Sequence, residues 1–107
     1  MPDKMEVERV IMRREYDPFM EIEKVMCVFP DDRATFGRLC CQTMWFDGNG
    51  KAWFESCCEC DYSYYLSLKP LRDVELITKC IEALEARYSE EDWPVKFKYV
   101  QRIIYRR

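Results

Sequence analysis

The chain has 107 residues, 49% of them apolar and 15% aromatic, with a formal net charge of −3. That is enough apolar material for one hydrophobic core, and it excludes an intrinsically disordered chain. No apolar run approaches the ~20 residues of a membrane-spanning helix, and Met1-Pro2-Asp3-Lys4 has no basic, apolar leader of the signal-peptide kind. The expectation is a single domain over residues 1–107, cytoplasmic and without a membrane partner.

Two further features narrow the chemistry. Histidine is absent, which removes the commonest general base and the commonest nitrogen ligand of zinc. Charge is unevenly placed: Lys96, Lys98, Arg102, Arg106 and Arg107 give residues 95–107 a charge of +5 and leave −8 for the rest. Such asymmetry bears on partners and not on fold.

Met5 to Tyr16 alternates loosely, with Val10 and Met12 on one side and Val7 and Ile11 on the other. Both a strand and a short helix fit this pattern, and the strand is preferred because Asp17-Pro18 then supplies a turn before a second run, Phe19 to Phe29. Pro30-Asp31-Asp32 ends that run. The central stretch, Gly37 to Asp61, reads as a β-hairpin carrying five of the seven cysteines around Asp47-Gly48-Asn49-Gly50. Placing Gly48-Asn49 at the turn centre pairs Cys40 with Cys57, Gln42 with Glu55, Met44 with Trp53 and Phe46 with Lys51 on an amphipathic outer face. Leu39, Cys41, Thr43 and Trp45 then take the buried face. A one-residue shift of this register remains open, since Asp-Gly or Asn-Gly can also sit at the centre.

Tyr62 to Leu68 has strand composition and closes at Lys69-Pro70. The clearest helix lies at about residues 72–88, where Val74, Ile77, Ile81, Leu84 and Tyr88 recur at spacings of three and four. Pro70 and Asp73 act as start signals, with Arg87 in the last turn. An acidic loop, Ser89 to Pro94, leads to a final strand. There Val95, Phe97, Tyr99, Gln101 and Ile103 alternate with Lys96, Lys98, Val100, Arg102 and Ile104. The order is β-β-β-β-(β)-α-β, an α+β fold with an antiparallel sheet of about five or six strands and one main helix packed on one face.

No phosphate loop, nucleophile elbow or metalloprotease motif is present, so the reading is non-enzymatic. The preferred function is a small protein-binding module, inhibitory in one version, with an aromatic surface made of Met44, Phe46, Trp53, Tyr64 and Tyr65. These residue types are enriched at interface centres. The partner is an unspecified protein, and a second copy of the chain would serve as well. The alternative is a thiol-rich metal-binding or redox-responsive module using Cys40, Cys41, Cys57, Cys58 and Cys60, with zinc as its metal. Against it, C-C-x-C within a strand sends thiols to opposite faces, whereas structural zinc wants convergent ligands. In the preferred reading no cofactor is required, the thiols are reduced, and Cys40 and Cys57 can be cross-linked by mild oxidant. A third reading places nucleic acid on Lys96, Lys98 and Arg102, although the acidic remainder disfavours phosphates.

Overall fold

The computed structural model describes residues 6–31, 38–55, 58–59 and 62–103. The chain runs through β1 (Glu6–Asp17), β2 (Ile22–Asp31), β3 (Arg38–Phe46), β4 (Ala52–Phe54), β5 (Cys58–Glu59), α1 (Tyr62–Ser67), β6 (Lys69–Pro70), α2 (Val74–Glu90) and β7 (Val95–Tyr99). The sheet runs β4-β3-β2-β1-β6, with β5 pairing to β3 and β7 to β1. Pairing is antiparallel except between β7 and β1, which are parallel. This is the α+β architecture expected, with α2 as its main helix.

The helix begins where its sequence signals it. Asp73 is the N-cap, its carboxylate accepting from the Leu76 N–H at 3.2 Å. Pro70 belongs instead to β6, three residues before the cap. α2 buries Cys80, Leu84 and Tyr88 against the sheet face carrying Val10, Met12, Val25, Cys27, Phe29, Cys40 and Met44. At its C-terminal end Phe29, Tyr88, Trp93 and Phe97 form an aromatic cluster, with Phe29 and Phe97 edge-on at 5.0 Å and Phe29 and Tyr88 at 5.6 Å. Asp92 takes positive φ so that the Trp93 N–H can bond back to the Tyr88 carbonyl at 2.9 Å.

The opposite sheet face is buried too. Ile11, Met26, Val28, Leu39 and Cys41 lie under Tyr65 and Ile103. Here the expectation of strand at Tyr62 to Leu68 is corrected, because the segment forms the short helix α1. Three contacts hold it down: Tyr65 fills the core, the Tyr62 hydroxyl bonds both the carbonyl and the N–H of Ile103, and Arg13 reaches the Tyr65 carbonyl with Nε at 3.1 Å. Docking decides the conformation against the β-propensity of the tyrosines.

The hairpin register is also corrected, by one residue. Met44 faces Phe54, Trp45 faces Trp53 and Phe46 faces Ala52. The connection is a three-residue loop, Gly48-Asn49-Gly50, rather than a two-residue turn. Asp47 sets it: its carboxylate accepts the N–H of Asn49 at 2.8 Å and of Lys51 at 3.0 Å, while Gly50 adopts φ of +80°. A further offset follows β4, so that Cys40 lies opposite Glu59 and Cys41 opposite Cys58.

Candidate interaction surface

The β1–β2 and β3–β4 turns lie at the same end of the sheet, because β2 runs antiparallel to both neighbours and its start, Ile22, lies beside the end of β3. In the first turn the Asp17 carboxylate accepts the N–H groups of Phe19 and Met20 at 2.9 and 3.1 Å. The loop is thereby fixed with the Phe19 side chain 96% exposed, beside a half-exposed Met20. A phenylalanine held in water on an internally bonded turn is the least expected apolar group on the molecule.

Behind it, Lys24 is buried between two carboxylates, ion-paired to Asp17 at 2.7 Å and to Glu55, with the Trp45 ring 4.8 Å from its Nζ. The bonds to Asp17 and Glu55 raise the Lys24 pKa above its ordinary value, and the bond from Lys24 holds the Asp17 carboxyl below its own. Trp53 pairs across the strands with Trp45, lies under Lys51 at 4.5 Å, and donates its indole N–H to Asp47 at 2.9 Å. That bond, with the N–H groups of Lys51 and Asn49, lowers the Asp47 pKa. At this end of the sheet, therefore, Asp17 and Asp47 are each bonded within the chain, Asp17 to Lys24 and Asp47 to the Trp53 indole, with Lys24 and Lys51 beside the two tryptophan rings. Arg14, the remaining cation in β1 at this end, is paired with Glu23 at 3.6 Å.

The sequence-derived surface is rearranged. Met44 is fully buried and Phe46 half-buried because α2 packs on their face of β3, and the one-residue shift puts Phe54 and Ala52 beside them in place of Trp53 and Lys51. Trp53 leaves from the other face and is 43% exposed. Tyr64 is exposed, donating to Glu15 at 2.6 Å, which raises its pKa. Tyr65 is core and donates to the Cys41 sulfur. Phe19, Met20 and Trp45 were missed. For Phe19 and Met20 the signal was Asp-Pro followed directly by two large apolar residues in a turn.

Among the cysteines, Cys40 faces α2 and Cys41 the opposite core, so these two do not converge. Cys40 is disulfide-bonded, contrary to the expectation of reduced thiols throughout. Cys57 and Cys60 lie outside the described residues, as does the Cys58 side chain, so the Cys40–Cys57 pairing does as well. Cys27, Cys41 and Cys80 are buried thiols. Burial pushes the Cys27 thiol well up, with the neighbouring Cys80 and Cys41 adding to it, and pushes Cys80 up to about 12. Among the described residues no three potential ligands gather to hold a metal. In β7, Lys96 and Lys98 are exposed while Phe97 is buried on the other face, and Arg102 beyond it is exposed.

No family model, curated protein or solved structure matches the chain. Among the described residues no helix is long and apolar enough to cross a membrane.

Proposed function

We propose that the chain is a small non-enzymatic module that binds another protein through the turn end of its sheet, with Phe19 as the anchor. The observation that carries this is Phe19, fully solvated on a turn whose geometry Asp17 fixes in advance. Burying such a ring in a partner is worth about 1.5–3 kcal/mol, and a preformed loop loses little entropy on binding. The exposed ring defines the partner's chemistry as an apolar pocket.

The test is affinity capture from source-cell extract with wild type, Phe19→Ser and Trp53→Ala. Each variant is first checked for an unchanged near-UV circular dichroism spectrum. A partner is expected that both variants lose. Identical capture by wild type and Phe19→Ser ends the reading.

A second reading is favoured by one register observation. Arg9 lies opposite Lys98 and Val7 opposite Lys96 in the β1–β7 pair, so Arg9, Lys96 and Lys98 share a face, with exposed Arg102 following. That face would suit phosphate groups. Fluorescence titration with single-stranded DNA at low salt tests it. Binding unchanged on neutralising Lys96, Lys98 and Arg102 removes it.

A further inference from the structure

The two edges of the sheet are finished differently. On β7 the outward N–H of Phe97 is taken by the Glu85 carboxylate at 2.9 Å. On β4 nothing equivalent is present among the described residues. Hydrogen bonding between Thr43 and Glu55 and between Asp47 and Lys51 sets the ladder, and by alternation the main-chain N–H and C=O groups of Ala52 and Phe54 face away from β3. β4 is the terminal strand, so these groups are an open edge.

Beside that edge runs a groove of about 350 Å³ between β4 and α2, lined by Phe46, Gly50, Ala52, Lys79, Glu82 and Ala83. Two residues along β4 from Ala52, on the same face, the Phe54 ring lies 4.6 Å from the Arg87 guanidinium. Arg87 Nε is buried without a hydrogen-bond partner, alone in this among the described side chains. An unsatisfied buried donor of this kind costs stability unless an acceptor arrives from outside. The spacings also match. Ala83 and Arg87 are one helical step of four residues apart, about 6 Å, and two residues of an added strand span about 6.6 Å.

We infer that the β4 edge accepts an extended peptide segment of a partner as an additional strand, with an aliphatic side chain in the groove over Phe46 and Ala83. Two residues along, an acidic side chain meets Arg87. Main-chain pairing to Ala52 and Phe54 supplies affinity, and the aliphatic–x–acidic pattern supplies specificity. Lys79 and Glu82 on the groove wall offset one another, so the charge preference of the pattern rests on Arg87. Trp53 shares the strand, but its side chain belongs to the opposite face, so this site is separate from the Phe19 surface.

The probe is the capped peptide Ac-Thr-Val-Thr-Glu-Thr-NH2, added to ¹⁵N-labelled protein and followed by NMR. Binding is expected to shift the Ala52 and Phe54 amides and to slow their hydrogen exchange, leaving the inward Trp53 amide unchanged. Replacing Glu by Gln in the peptide is expected to weaken binding about tenfold, the loss of one charge-assisted hydrogen bond. In Arg87→Met the two peptides should bind equally. No change at Ala52 and Phe54 at millimolar peptide overturns the proposal. So does a tenfold Glu preference that survives in Arg87→Met. Concentration-dependent protection of Ala52 and Phe54 without peptide would assign the edge to a second copy of the chain and overturn it equally.

Discussion

Glu85 accepts the main-chain N–H of Phe97 at 2.9 Å, so a helix carboxylate closes the outer edge of the last strand. The same carboxylate pairs with Lys96 through its other oxygen at 3.5 Å. It ties α2 to β7 and removes a donor on which another chain could add a strand. Glu85→Ala is expected to cost about 1–3 kcal/mol, because it leaves a partly buried N–H without a partner. Urea unfolding measures this. A midpoint equal to wild type would show that water satisfies the amide as well as Glu85 does.

Asp73 is a separable contribution. Its carboxylate satisfies one of the orphan N–H groups of α2, and Asp73→Ala should destabilise by about 0.5–2 kcal/mol. For a domain of this size each kcal/mol lowers the melting temperature by roughly 4–8 °C. Asp73→Asn, which preserves an acceptor, should recover most of the loss.

Met44 and Trp53 distinguish core from surface on one hairpin. Met44→Ala removes a fully buried side chain beneath α2 and should cost about 2–5 kcal/mol. Trp53→Ala removes a side chain exposed over nearly half its area, and about 1 kcal/mol or less is expected. Denaturation curves for the two variants test the register itself, since a hairpin shifted back by one residue pairs Met44 with Trp53 on one face and predicts no such split.

Cys27 and Cys80 should be inert to thiol reagents in the native protein. Both are buried and both have raised pKa values, so neither supplies thiolate near neutral pH. Their modification is expected to track global unfolding. The stability they add is fully present below the ordinary thiol value of 9.0 and is lost as pH rises from there toward the folded value, about 12 for Cys80. Native-state labelling of Cys80 within minutes at pH 8 would contradict its burial.

Asp17 and Lys24 predict opposite limbs of a pH profile. The depressed Asp17 pKa gives stability present above its ordinary 3.8 and lost as pH falls through the folded value. The raised Lys24 pKa gives stability present below 10.5 and lost as pH rises through its folded value. Asp17→Asn should therefore flatten the acid limb of urea midpoints between pH 5 and pH 2, in part only, because Asp47 is depressed as well. An acid limb identical to wild type would remove Asp17 from the account.

How much was legible followed from the range of each physical signal. By itself the sequence determined α2, because Ile77, Ile81, Leu84 and Tyr88 repeat at helical spacing and Asp73 is a capping residue, both local properties. It determined the start of β7 in the same way, through the alternation of Val95 and Phe97 with Lys96 and Lys98, although the alternation runs on past Tyr99, where the strand ends. Tertiary structure decided the rest. The sheet is buried on both faces, so β3 shows no apolar–polar alternation that could distinguish Met44 from Trp45, and only the Asp47 side chain and the positive φ of Gly50 select the register. The Tyr62 segment is helical because Tyr65, Arg13 and Ile103 meet there across more than 35 residues of chain. The exposure of Phe19 and the open edge of β4 are likewise properties of what the remainder of the chain leaves uncovered, which no local pattern records.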